Sequence, residues 1–220
     1  MIGLYAIVRR APREAVGARA EPLLEIGFES FCVLAGDAPP ALSVDALRAH
    51  EAAVRRIAEA CAACLPARFG AAAADEEALR RELAPRAAEL LEALQLVEGR
   101  EQMTLRVHGR GPAPLADAPP FGLRPSPAGG PGTRYLEDRR RARHLPELDP
   151  LRTALASLTR AERVERHSEC GLLASVYHLI NRGSAQAYLR AVDATRLEGF
   201  RILVSGPWPA WSFAPEVAQP

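Results

Sequence analysis

Proline and glycine crowd the sequence between residues 109 and 132 and separate two stretches that can form regular structure. Proline lacks an amide donor, and glycine loses much conformational freedom when it is fixed in a helix or strand. We therefore expect this segment to be a flexible loop. Any fold of the chain has to be built from the regular elements on either side of it.

Hydrophobic periodicity in the first half predicts a mixture of strands and helices. Apolar residues spaced three or four apart indicate amphipathic helices, in one of which Leu47, Val54 and Ile57 form the apolar face. The predicted elements are a strand at 2–8, one or two strands within 22–35, a helix at 44–63 capped by Ser43, and a helix from Asp75 to about Val97 with a kink or break at Pro85. The first half is therefore predicted to be α+β.

The second half predicts strands and helices in alternation. The predicted elements are a strand at 102–108, a helical stretch at 133–166 interrupted at Pro146 and Pro150, a buried strand at 170–180, a helix from Ser184 to Arg196 and a strand at 200–205. This order suits a small sheet with helices on one face, close to a ferredoxin-like arrangement. We place the boundary near Glu98, so that the predicted domains are 1–98 and 99–220.

The final strand runs into a tail at 207–220 that carries both tryptophans of the chain. Gly206 allows a turn, and Pro207 and Pro209 fix the backbone, so the strand is predicted to stop before them. Two interpretations of the large rings of the tail remain open. They close the core of the last domain, as buried aromatic residues do, or they form a surface on which a partner docks.

Charge and composition exclude several function classes. The formal net charge is +1, and all the basic residues other than histidine are arginine, so neither a nucleic acid nor an acidic membrane surface is favoured, and lysine chemistry is impossible. The four cysteines are too sparse for a disulfide scaffold. The start of the chain lacks the charge order of a secretory signal, and no apolar run has the length of a membrane span, so we expect a cytoplasmic protein.

Two residue patterns suggest catalysis or metal binding, but each lacks a feature that such a site requires. Cys61 and Cys64 have redox spacing but lie at the end of a predicted helix, where the helix dipole does not lower a thiol pKa, and we expect both to face the core. His50 and Glu51 lack the second histidine of a zinc protease and are given a structural role near Arg68. We predict no enzyme, no metal and no cofactor.

Five segments resemble the GvpF/GvpL family of gas vesicle proteins. The tail segment resembles the family's ending GPWPPYSF, with Ala210 in place of a proline and Trp211 in place of the tyrosine. The matching segments are Gly3 to Val8, His50-Glu51, Leu65 to Gly70, Gly132 to Leu136 followed by Arg139, Arg140 and Arg141, and Gly206 to Phe213. They follow the family order over nearly the full length of the chain.

The resemblance implies two α+β domains, the second a modified ferredoxin fold, and a non-enzymatic accessory or minor structural role in gas vesicle assembly. Its implied partners are the shell protein GvpA and other gas vesicle proteins, and its implied location is the gas vesicle. The expected docking residues are Trp208, Trp211 and Phe213, with Arg68 and Phe69 second. The alternative is a regulatory module that binds a small molecule between ferredoxin-like units, which a ligand screen by thermal shift would reveal.

Overall fold

The computed structural model describes residues 1–109, 145–167, 171–195 and 197–217. These residues form two compact units. The first contains Met1–Met103, Leu179–Gly183 and the described part of Gly206–Pro220, and the second contains the described parts of Thr104–His178 and Ser184–Ser205. The predicted flexible loop lies, except for Gly109, outside the described residues, as does the predicted start of a helix at Thr133. The division into folding domains at residue 98 stays a prediction.

The described chain is α+β. The strands are β1 (Ile2–Val8), β2 (Leu24–Gly27), β3 (Cys32–Asp37), β4 (Cys64–Pro66), β5 (Ala72–Ala73), β6 (Arg100–Gly109), β7 (Thr159–Arg166), β8 (Leu172–Asn181) and β9 (Phe200–Trp208). The helices are α1 (Val44–Ala60), α2 (Glu76–Leu83), α3 (Ala87–Val97), α4 (Asp149–Leu155) and α5 (Ala185–Ala194), and short 3₁₀ turns span Ala84–Arg86, Pro146–Leu148 and Trp211–Phe213. No helix among the described residues combines the length and the apolar composition that a membrane span requires.

The first unit is organised around β1. Its sheet has the strand order β2-β3-β1-β4, and β5 pairs with β1 beyond this path. All of these pairs are antiparallel. Six of the seven residues of β1 are buried, which explains why its sequence is continuously apolar instead of alternating. The strands predicted at 2–8 and within 22–35 are confirmed, whereas the short strands β4 and β5 were missed.

Helix α1 covers part of this sheet. Ser43 caps it, since its hydroxyl accepts a hydrogen bond from the amide of Ala46 at 3.1 Å. Val54 and Ile57 are buried as predicted. Leu47, which the sequence assigns to the same apolar face, is instead exposed, and the helix ends at Ala60, three residues earlier than predicted.

The predicted break at Pro85 is confirmed. A single 3₁₀ turn, Ala84–Arg86, separates α2 from α3, because proline cannot donate the hydrogen bond that a continuous helix requires at that position. Asp75 caps α2 by accepting from the amide of Ala78 at 2.8 Å. Gly99 follows α3 at a φ of 65°, a left-handed conformation that glycine adopts without steric cost.

The second sheet has the strand order β7-β8-β6-β9. In the second unit, α4 and α5 contact each other. The core of this unit consists of apolar side chains and one tyrosine that are almost completely buried, namely Leu105, Val107, Leu148, Leu151, Leu155, Val176, Tyr188 and Val192. The strand predictions at 102–108 and 170–180 are confirmed for the described residues.

The helical prediction for residues 159–166 is wrong, because this segment is the edge strand β7. Its residues are charged and mostly exposed, with only the side chains at 159, 161 and 164 half-buried. The charged sequence resembles a solvated helix face, and an edge strand with one partner carries the same polarity. Tertiary pairing with β8 decides the structure here.

The predicted end of the last strand is also wrong. Strand β9 continues through Gly206 and Pro207 to Trp208, with a cis peptide bond between Gly206 and Pro207. An edge strand accepts a proline because the missing amide need not face a neighbouring strand. β9 occupies such an edge, next to β6.

Replacing Gly206 with alanine is expected to lower the free energy of unfolding by about 2 kcal/mol. Gly206 has a φ of 125°, and a Cβ there would lie 2.8 Å from the carbonyl oxygen of Gln102. The matched control is Gly27→Ala, since a Cβ at Gly27 meets no atom within 4 Å. Urea unfolding followed by circular dichroism measures both variants, and equal midpoints would contradict the steric argument.

Candidate functional site

The aromatic tail packs within the first unit. Phe213 is 3% exposed, and Trp211 contacts a core cluster formed by β1, β3, α1 and β4. The amide of Ser212 donates to the side chain of Gln102 at 2.8 Å, and the amide of Phe213 donates to the carbonyl of Ala210 at 3.0 Å. Of the two interpretations left open, core packing describes Phe213 and Trp211, and the core that they contact belongs to the first unit.

Two arginines hold the end of the described tail. Arg68 forms an ion pair with the carboxylate of Glu216 at 3.3 Å, and Arg86 donates to the backbone carbonyl of Glu216 at 2.6 Å. Arg68 is mostly exposed, so its ion pair contributes little stability by itself. The sequence places Glu51 near Arg68. In the structure the carboxylate of Glu51 forms an ion pair with Arg55 at 3.2 Å, and Arg68 pairs with Glu216.

Trp208 lies at the end of β9 and is only half-buried. The guanidinium of Arg55 sits over its ring, 4.7 Å from the ring centroid. This cation–π contact covers one face of the indole and leaves part of the ring exposed. Trp208 thus differs from Phe213. The phenyl ring of Phe213 is buried in the core, whereas the indole of Trp208 is partly exposed.

A cleft that is open to solvent lies beside this indole, and we call it the Trp208 cleft. It is lined by Arg55, Ala58, Glu59, Cys64, Val97, Arg100, Glu101, Arg182 and the segment from Pro207 to Ala210. Arg182 donates to the carbonyl of Ala58 at 2.7 Å, and Glu101 accepts from the amide of Gly183 at 3.2 Å. Burial raises the pKa of Glu101 above its ordinary value. The cleft therefore combines aromatic and aliphatic surface with guanidinium groups, which suits a protein partner.

Phe69 belongs to a different surface. His50 stacks on Tyr5 with ring centroids 5.0 Å apart and meets the edge of Phe69 at 5.7 Å. Its Nε2 donates to the carbonyl of Ala67 at 2.9 Å. Desolvation by burial lowers the pKa of His50 in spite of this hydrogen bond and so favours the neutral ring. The structural role predicted for His50 agrees with this packing.

The five predicted docking residues therefore do not form one surface. Trp208 lines the Trp208 cleft, Trp211 and Phe213 pack against the core, Phe69 contacts His50, and Arg68 pairs with the tail. Their role in docking stays a prediction.

The cysteines are placed as the sequence suggests. Cys61 and Cys64 are free and buried, and desolvation raises the pKa of both thiols. Thiols in this state are poor nucleophiles. Cys170 lies outside the described residues.

A polar network around the buried His178 of the second unit was not predicted from the sequence. His178 is 2% exposed, its Nδ1 lies 2.6 Å from the hydroxyl of Tyr188, and its Nε2 lies 2.9 Å from Oε2 of Glu162. Arg152 approaches the same carboxylate at 3.1 Å. The sequence does not predict this network because it predicts a helix at Glu162. In the structure Glu162 lies on β7, and the pairing of β7 with β8 brings its carboxylate to His178.

Comparison with known proteins identifies the family. The family model described as "Gas vesicle synthesis protein GvpL/GvpF" matches residues 2–215. The chain belongs to the GvpL/GvpF family. This family consists of gas vesicle proteins, and membership links the chain to gas vesicles.

Individual relatives agree with the GvpL/GvpF assignment. Gas vesicle protein L from Streptomyces sp. (strain CB03234) is 26% identical over 187 residues, which cover 77% of this chain and 69% of the relative. The crystal structure of GvpF from Anabaena sp. PCC7120 matches with a TM-score of 0.70 at 17% identity, covering 97% of this chain and 95% of that one. GvpF from Microcystis aeruginosa matches with a TM-score of 0.68 at 15% identity, covering 97% and 98%. These structures share the α+β fold.

Phe213→Ala is expected to lower the free energy of unfolding of this GvpL/GvpF protein by about 3 kcal/mol, because it removes a buried ring from the first unit. Phe213→Leu, which keeps most of the apolar volume, should cost about 1 kcal/mol. Chemical denaturation of both variants measures the difference. An alanine variant as stable as the wild type would show that the tail is not part of the core.

The polar network around His178 predicts a stability change in acid. Hydrogen bonding from His178, together with Arg152, holds the pKa of Glu162 at about 2, below its ordinary value of 4.5. A depressed carboxylate pKa stabilises the fold above pH 4.5, and this stabilisation is lost as the pH falls toward 2.

Glu162→Gln should therefore lower the thermal midpoint at pH 7 and flatten its decline between pH 4.5 and 2. Glu147→Gln, at an exposed position of the same unit, serves as the control and should follow the wild type. Parallel acid titrations of all three proteins would contradict the assignment.

Proposed function

We propose that this protein is a non-enzymatic accessory or minor structural component of gas vesicle assembly that binds the shell protein GvpA and other gas vesicle proteins. The observation that carries the proposal is the half-exposed indole of Trp208, which Arg55 stacks on and which lines the Trp208 cleft. This indole lies in the segment, Gly206 to Phe213, that resembles the ending of the family.

The physical argument concerns a shell subunit before it is assembled. A subunit with apolar surface and unpaired strand edges aggregates unless a binder covers that surface. Tryptophan on a backbone fixed by Pro207 and Pro209 offers a large apolar contact with little loss of conformational entropy. The adjoining arginines add charge-assisted hydrogen bonds to carboxylates or carbonyls of the partner.

The other predicted docking residues receive distinct parts in this proposal. Phe213 and Trp211 fix the tail to the core, and Arg68 holds its end through Glu216. Trp208 is then the contact residue of the tail, and Phe69 marks a second surface. Both surfaces lie within the first unit.

The proposal includes a ferredoxin-like second half. Its described elements follow the order β6, α4, β7, β8, α5, β9, which is the β-α-β-β-α-β order of such folds. The hydrogen bonds from Gly109 to Gly171 and from Arg182 to Gly99 join opposite ends of β6 and β8, so these neighbours are antiparallel. The protein would act at the gas vesicle, a protein organelle of the cytoplasm.

Co-expression with tagged GvpA tests the proposal. The wild type is expected to be captured with GvpA, and Trp208→Ala is expected to weaken capture about tenfold or more, since a central tryptophan contributes disproportionately to an interface. Trp208→Phe keeps an aromatic ring and should retain most of the capture. Circular dichroism and the thermal midpoint check that each variant is folded.

Three results decide between the interpretations. Equal capture of the wild type and Trp208→Ala would remove the tail from the interface. Failure of the wild type to capture GvpA or any other gas vesicle protein would contradict the assembly role. Stabilisation by one class of nucleotides or amino acids in a thermal-shift screen would then favour the regulatory alternative.

A further inference from the structure

Strand β9 forms one edge of the second sheet and is long and almost uncharged. Edge strands are commonly short or charged, because their outer backbone groups otherwise hydrogen-bond to a strand of another molecule. β7, at the opposite edge of this sheet, carries five charged residues in eight, and β2 and β4, at the edges of the first sheet, have four and three residues. β9 has nine residues and a single charge, that of Arg201. Among these described edges, β9 is therefore the one best suited to accept a further strand.

The side chains of β9 alternate along the strand, and none of them is fully buried. Phe200, Ile202 and Val204 are half-buried on one face. The residues between them are exposed on the other face, where Leu203 is 41% exposed. A neighbouring strand would remove apolar surface from water on both faces. The strand that fits best carries apolar residues opposite both sets.

The sequence of β9 is self-complementary about Leu203. When two copies of one strand pair antiparallel about a two-fold axis, residues equally far before and after the centre lie opposite each other. With Leu203 at the centre, this leucine lies opposite itself, and Ile202 lies opposite Val204. Arg201 lies opposite Ser205, so no like charges meet. Apolar and β-branched cross-strand pairs of this kind stabilise a sheet.

The neighbouring registers of the same pair fit less well. Centring the pair one residue to either side would place Leu203 opposite a polar residue, Arg201 or Ser205. The register centred on Leu203 also places Pro207 opposite Gly199, which precedes β9. The missing amide of the proline then removes no hydrogen bond between the two copies.

We propose that β9 pairs antiparallel with β9 of a second copy of this protein, centred on Leu203, so that the two second sheets become continuous. The chemistry of β9 itself selects this partner, because the strand is complementary to its own sequence. Each copy contributes one short strand, and small contacts of this kind are typical of weak, reversible association. The inference is independent of the proposed function, since no other gas vesicle protein takes part.

Charged residues at position 203 test both the pairing and its register by sedimentation equilibrium of the purified protein. Leu203→Glu and Leu203→Arg each place like charges opposite each other, so each variant should self-associate about tenfold or more weakly than the wild type. An equimolar mixture of the two places a carboxylate opposite a guanidinium and should restore association. Leu24→Glu and Leu24→Arg are matched controls, because Leu24 is 51% exposed on the edge strand β2, and they should associate like the wild type.

Each outcome supports or overturns the proposal. Weaker association of both Leu203 variants with recovery in their mixture supports it. A wild type that stays monomeric up to about 1 mM overturns it. Association that is unchanged in the Leu203 variants, or that is lost without recovery in the mixture, overturns it as well.

A second pair of variants decides the question if circular dichroism shows that a Leu203 variant is misfolded. Ser205→Arg places an arginine opposite Arg201 of the second copy and should weaken association, whereas Ser205→Glu places a carboxylate there and should strengthen it. Equal association of the two Ser205 variants would overturn the proposed register.

Discussion

The burial of β1 is the constraint on which the first unit depends. β3 and β4 flank this strand, β5 pairs with its start, and α1 packs against it, so a side chain changed in β1 disturbs several neighbours at once. Tyr5 of β1 is an example. Its ring stacks on His50, and its hydroxyl donates a hydrogen bond to Glu21 and accepts one from the amide of Ala18. A close-packed interior transmits such contacts because it holds little free volume. The cleft that Leu4, Tyr5 and His50 line therefore depends on how β1 is covered.

The tail extends the same core from the other end of the chain. Trp211 packs against the cluster that contains Tyr5, Ala6 and Val8, and Phe213 is buried nearby. Residues separated by some two hundred positions therefore contact each other, and closing so long a stretch of chain costs entropy that the packing has to offset. The Trp208 cleft exists only when the tail is docked, because Pro207 to Ala210 form part of its wall.

Elements with a strong local signal were predictable from the sequence. Ser43, Asp75 and Pro85 act through their own backbone neighbours, and the structure has the caps and the break where those residues place them. β7 was not predictable in this way, because its charged residues suit both an exposed helix and an edge strand, and pairing with β8 decides between them. The same difference between local sequence signals and tertiary packing applies to the candidate site. The aromatic residues of the tail predict that it is important, but only tertiary packing distinguishes the buried Phe213 from the half-exposed Trp208. The contact between the carboxylate of Glu162 and His178 likewise depends on strand pairing.

The packing of the tail reduces the conformational entropy that an exposed ring of the tail would lose on binding a partner. A ring on a free tail loses backbone and rotamer entropy when it docks, which offsets much of the contact free energy. Trp208 avoids part of this loss because prolines restrict its backbone, Arg55 stacks on its ring, and Phe213 fixes the chain beyond it. In the proposed function, burial of Phe213 inside the core would thus support docking by Trp208 without any direct contact between Phe213 and the partner. The two interpretations of the aromatic tail describe neighbouring residues of one segment, in which core packing holds the exposed ring in place.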